Sequence, residues 1–121
     1  MTGKIQSFQD LEVWQRAHQL VLDVYRATRD FPTAEPYDLV AAMREVAVSV
    51  PANIATGFGY REKDEKIHFY SSSKASLEEL KYFLILSEDL GYLSGIDQLM
   101  EDAETITRML GGLVRSTKSK E

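Results

Sequence analysis

The chain has no cysteine, which excludes disulfide bridges, a thiolate nucleophile and cysteine-ligated zinc and gives no pointer to an oxidising compartment. It has only two histidines, so imidazole-based catalysis and metal binding have few residues to draw on. No segment alternates polar and apolar residues with period two, and no Asn-Gly or Asp-Gly pair marks a hairpin, so strands are not expected. GFGY at Gly57 to Tyr60 lacks the third glycine and the preceding strand that a phosphate-binding loop requires. The opening MTGKIQSFQD has neither the apolar core of a signal peptide nor the character of a transit peptide. No uncharged run reaches the ~20 residues of a membrane span. Cytoplasmic residence is the expectation.

What is present is an ordinary globular composition: 121 residues, 44% hydrophobic and 27% charged, enough for one core and one domain over 1–121. The net charge of -5 opposes indiscriminate nucleic-acid binding, which rests on neutralising phosphate with lysine and arginine, although a local basic patch overrides a global sign.

Apolar residues recur at helical spacing. Leu11, Trp14, Ala17, Val21, Val24 and Tyr25 predict a first helix over about 8–29, stopped by Phe31-Pro32. A second, over about 36–58, opens near Pro36 and carries Leu39, Met43, Val46, Ala47, Val50, Ile54 and Gly57 inward, with Gly57 and Gly59 also marking its end. A third covers about 63–90 and is halted by Gly91. A fourth covers about 95–114, capped by Ser94 and weakened by Gly111-Gly112. The basic tail 115–121 reads as a frayed terminus. Four helices joined by short polar connections predict an all-α, antiparallel up-down-up-down four-helix bundle.

The stretch VAVSVPANIATGFGY, Val46 to Tyr60, carries no charge and has a proline in its middle. On a helical wheel its core side is opposed by a second apolar row, Ala41, Val48, Ala52 and Ala55, where a surface helix is normally polar. Such a face needs a cover, and a partner chain is the simplest; a homo-oligomer with this face at the contact is the expectation. Pro51 removes one backbone hydrogen bond and predicts a bend near Ala47; Ser49 and Asn53 are placed to satisfy freed backbone groups.

The runs FP..E.Y.L from Phe31 to Leu39, SVPANIATG from Ser49 to Gly57 and SLEEL from Ser76 to Leu80, with the opening DLEVWQRAHQLVLDVY, resemble the four-helix-bundle family of 23S rRNA intervening-sequence proteins. The resemblance spans nearly the whole chain. Thr56, Ala42, Glu45 and Ala75 depart from the family pattern, where Glu, Gln, Arg and Gly are usual. The resemblance implies a cytosolic bundle with no established enzymatic activity and a ring-shaped homo-oligomer. Similar proteins that assist diversity-generating retroelements imply a pentamer with basic, nucleic-acid-binding surfaces, whereas this chain is acidic.

Arg44, Arg61, Lys63 and Lys66, with Tyr60 as a stacking ring, form the candidate nucleic-acid contact. Glu45, Glu62, Asp64 and Glu65 interleave with them, so any such contact is expected to be weak. Glu65 and His68 have the Glu-x-x-His spacing of carboxylate-bridged di-iron bundles, which makes a ferritin-like metal-dependent enzyme the alternative reading. The second Glu-x-x-His that such a site needs is missing from the sequence. No catalytic residue, metal or cofactor is expected, and the favoured reading is an oligomeric scaffold or interaction protein that touches RNA or DNA weakly or works with a nucleic-acid-handling partner protein.

Overall fold

The computed structural model describes residues 4–120. A short 3-10 turn, Phe8–Asp10, leads into α1 (Glu12–Ala27), α2 (Leu39–Gly59), α3 (Lys63–Asp89) and α4 (Asp97–Ser119). The described residues hold no strand. Consecutive helices pack on one another and α1 closes on α4, a square arrangement without diagonal contacts. Side-chain bonds fix the directions. Arg44, early in α2, reaches the end of α1 at Tyr25 and Thr28; Ser73 and Ser87 of α3 reach Val50 and Met43 of α2 in reverse order; and Lys63 at the start of α3 reaches Lys118 at the end of α4. Neighbouring helices are therefore antiparallel, as the short connections predict.

The core is a set of helical stripes. On α3, Tyr70, Ser73, Leu77, Leu80, Leu84 and Ser87 are all buried, and their alternating spacing of three and four turns one face inward. On α2 the buried positions are those the sequence predicts, Gly57 among them, together with Pro51. On α1 the inner face is rotated from the predicted one. Val13 and Leu20 are buried while Tyr25 is exposed, because Tyr25 lies beneath the guanidinium of Arg44 instead of in the core.

Element ends depart from expectation for identifiable reasons. Leu11 takes extended backbone between the 3-10 turn and α1, so the predicted single helix is split. Ser7 and Asp10 form a capping box around the turn, and hydrogen bonds from the Gln6 and then the Ser7 amide hold the Asp10 carboxyl below its ordinary value. α2 begins at Leu39 rather than near Pro36. Asp38 adopts the left-handed region at φ 58° and accepts from the Ala41 amide, a conformation that aspartate tolerates better than most residues, while the Glu35 carboxylate accepts from the Leu39 amide at 2.7 Å.

α3 closes through Gly91 at φ 80°, where Tyr92 N–H bonds to the Ser87 carbonyl and Gly91 N–H to the Glu88 carbonyl. This is a Schellman closure, which needs the left-handed glycine. α4 has no side-chain cap: Ile96, not Ser94, is the N-cap residue. The helix also runs past Gly111-Gly112 to Ser119, so residues 115–119 of the predicted frayed tail are helical. Across the α3–α4 interface Lys81 bridges Glu78 and Glu104. The glutamate hydrogen bonds, Glu104 first, raise the Lys81 pKa, and the same contact lowers that of Glu104.

Candidate functional site

The motif of α2 is built around its proline. The helix continues through Pro51, which is itself buried. Ser49 Oγ donates to the Val46 carbonyl and lies 2.6 Å from Ser76 Oγ, and Asn53 Nδ2 donates to the Ser49 carbonyl at 2.9 Å. Both side chains therefore bond nearby backbone. From α3, Ser73 Oγ donates to the Val50 carbonyl at 2.8 Å, fully buried. Small hydroxyl residues on the facing stripe let α3 approach this stretch closely and bond its carbonyls at Val50 and, through Ser49, Val46, although none of these bonds reaches the Ala47 carbonyl that Pro51 leaves without its amide partner. Sequence reasoning missed Ser73. Its position three residues before Ser76 and four before Leu77, on the face shared with Tyr70, was the available signal.

Ala41, Val48 and Ala52 are exposed and Ala55 is half-buried. With Glu45, also exposed, they are spaced 4-3-4-3, the interval of a helix-helix seam. The apolar row is thus interrupted by one carboxylate, a position the wheel had not singled out. Exposed Tyr25 of α1 borders it, and Leu22, also exposed, precedes Tyr25 by about one turn of α1. The antiparallel register that puts Tyr25 beside Arg44 brings Leu22 level with the turn holding Val48.

The five nucleic-acid candidates do not form one cluster. Arg44 and Gly59, the last residue of α2, are separated by more than ~20 Å along the helix axis. The Arg44 guanidinium is committed locally: Nε donates to Thr28 Oγ1 at 3.0 Å, Nη2 donates to the Tyr25 carbonyl at 3.2 Å, and Cζ sits 4.4 Å from the Tyr25 ring centroid. It caps the end of α1, where a cation suits the helix dipole. The Tyr60 ring is stacked on Phe69 at 5.2 Å.

Arg61, Lys63 and Lys66 do come together, at the end of the bundle where the α2–α3 turn meets the end of α4. Lys66 Nζ donates to the Phe58 carbonyl at 2.8 Å and Lys63 Nζ to the Lys118 carbonyl at 3.0 Å. Burial, and then the charge of Lys120, pulls the Lys66 pKa below its usual value. Glu65 and His68 are both exposed, with His68 edge-on to Phe69. Among the described residues no group of three histidine, aspartate or glutamate side chains is arranged to hold a metal ion, and no helix is long and apolar enough to cross a membrane.

An all-α chain with four helices, the second of them carrying the SVPANIATG run, is what the resemblance implied. A family model described as 23S rRNA-intervening sequence protein matches residues 9–112. The chain belongs to this family. The match runs from the 3-10 turn to Gly112, covering α1 to α3 and most of α4. The intervening-sequence proteins have no established activity, so membership supplies the fold and leaves the chemistry to the surfaces described above. A search of curated proteins finds no match to the chain.

Proposed function

We propose that this chain is a non-enzymatic, cytoplasmic, self-associating bundle that serves as a scaffold or interaction module, with the outer face of α2 at the contact between copies. The observation that carries this reading is the seam Ala41, Glu45, Val48, Ala52, Ala55, with three of its four apolar members exposed in the single chain. Small side chains allow two helices to approach closely. The seam is insufficient alone. Association costs an estimated ~4–15 kcal/mol, and three alanines and a valine at about 25 cal/mol per Å² contribute only a few. The contact therefore extends to the bordering Tyr25 and to Leu22, and Glu45 meets a cation of the neighbouring copy. Five copies in a ring is the number that the family resemblance favours.

Nucleic acid is the weaker reading. With Arg44 committed to α1, the contact reduces to Tyr60, Arg61, Lys63 and Lys66, and Arg61 and Lys63 share a surface groove with Glu62, Asp64 and Glu65. Any RNA or DNA binding is weak and salt-sensitive. The ferritin-like alternative has less support still, since Glu65 and His68 face solvent while such ligands project into the bundle.

Light scattering coupled to size exclusion tests the proposal. A mass that is an integral multiple of 13.7 kDa above one is expected; a monomer at about micromolar concentration, where a specific contact holds, would overturn it.

A further inference from the structure

The basic end of the bundle encloses a half-open cavity of about 410 Å³, within the range of small-molecule sites. Its walls come from four parts of the chain: the N-terminal segment, the end of α2 with its turn, the start of α3, and the end of α4. Arg61, Lys63, Lys66 and Lys120 line it, and among the described residues none in the lining is acidic. That concentration runs against the composition, because the chain has 19 acidic residues to 14 lysines and arginines.

The four cations have no carboxylate partner among the described residues. Lys63 and Lys66 cap the ends of α4 and α2 through neutral carbonyl groups. The helix-end dipoles, and for Lys66 the Phe58 ring 5.3 Å away, offset part of each charge, but no carboxylate neutralises it, and each ammonium has three donors. The Lys66 pKa, lowered by burial and by Lys120, is in keeping with a cation short of counter-charge.

Beneath the charges the cavity is apolar, with Phe58, Leu11 and Leu113 in its wall. Tyr70 supplies the second, independent observation. The residue lines the cavity and is 2% exposed, yet its hydroxyl makes no hydrogen bond with any described residue, whereas buried tyrosines usually find a partner. No side-chain oxygen among these residues is sealed from solvent without a partner, so the hydroxyl is reached from the cavity.

We infer that this cavity binds a small amphipathic organic anion, its acidic head held among Arg61, Lys63, Lys66 and Lys120 and accepting from the Tyr70 hydroxyl, and its apolar body lying along Phe58 and Leu113. A polynucleotide fits less well. Its phosphates would meet the acidic groove of Glu62, Asp64 and Glu65 beside the opening, and a backbone that long does not reach a residue so deeply buried. The inference is independent of self-association, since the seam on α2 and this cavity share no residue.

The test is calorimetric titration of the full chain at low salt with decanoate, decyl phosphate and decanol. One saturable site per chain is expected for the two anions, with the tighter of them identifying the head group, and decanol binding about tenfold more weakly or less, the loss of a charge-assisted contact. Arg61→Gln combined with Lys120→Gln, both at exposed positions, should weaken the anions about tenfold, while Arg16→Gln on α1 leaves them unchanged. Tyr70→Phe should weaken them severalfold with an unaltered melting temperature, because no described residue uses the hydroxyl. The inference is overturned by any of four results: no saturable heat up to about 1 mM ligand, decanol binding as well as the anions, the double variant binding normally, or a short single-stranded RNA binding these residues more tightly than either anion.

Discussion

At Gly57 a single methyl group would collide with the neighbouring helix. A Cβ added there lies 2.9 Å from Tyr70 Cε1 and 3.0 Å from Phe69 Cβ. The sequence suggests that Gly57 and Gly59 close α2 by adopting left-handed backbone, but the only positive-φ glycines described are Gly91 and Gly95. Gly57 serves packing instead, bringing the Tyr70 ring against the end of α2. Gly57→Ala gains up to about 1 kcal/mol of helix propensity and loses about 1–3 kcal/mol to overpacking. A net loss of roughly 1 kcal/mol is expected by urea unfolding, and a stabilised variant would show that the ring shifts freely. Arg44 makes the opposite point, that a charge reading as a surface contact is structural. Arg44→Ala removes two hydrogen bonds and a cation–π contact and should cost about 1–2 kcal/mol in the same assay, while leaving the affinity for labelled RNA unchanged. A large fall in RNA affinity without loss of stability would restore Arg44 to the binding surface.

Among the helices, α3 and α4 are tied by the exposed bridge from Lys81 to Glu104, and its pH dependence has a definite sign. The Glu104 pKa is depressed below its ordinary 4.5, so its contribution is present above that value and lost as pH falls through the lower, folded-state value. The Lys81 pKa is raised above its ordinary 10.5, so its contribution is present below that value and lost only as pH rises beyond it. In the acid range, thermal unfolding of Lys81→Met and of the unaltered chain should therefore differ by a constant amount above pH 4.5 and converge only as pH falls below it, through the lower folded-state value of Glu104. A difference in melting temperature that stays constant through that fall would contradict the bridge. The existence and order of the helices were legible in the sequence, because the apolar residues of α2 and α3 repeat at helical spacing over many turns. Their ends were less so. The start of α2 depends on a left-handed Asp38 and a carboxylate reaching back from Glu35, and α4 continues through two glycines because Leu110, Leu113 and Thr117 still find packing partners, which no local propensity records. Of the candidate sites, the α2 row was legible from the wheel except for Glu45. The basic end was only half legible, since Lys120 joins Lys63 and Lys66 through the antiparallel return of α4.

For the molecule as a whole, the bundle buries its stripes internally and leaves α2 with a second apolar seam at its surface. The two faces of α2 should respond differently to the same insult. A carboxylate at Val50 or Ile54, both 0% exposed, enters the core and cannot be hydrated while the bundle stays folded, so Val50→Glu and Ile54→Glu should unfold or aggregate the chain. A carboxylate at Ala52 is hydrated in a single bundle and penalised only where another copy covers it. The most direct measurement is therefore the solution mass of Ala52→Glu beside that of the unaltered chain, by light scattering, with circular dichroism on the same samples. The prediction is an oligomer for the unaltered chain and a lower mass for Ala52→Glu with the helical spectrum intact; an Ala52→Glu chain that keeps the full oligomeric mass would show that the outer face of α2 is not where the copies meet.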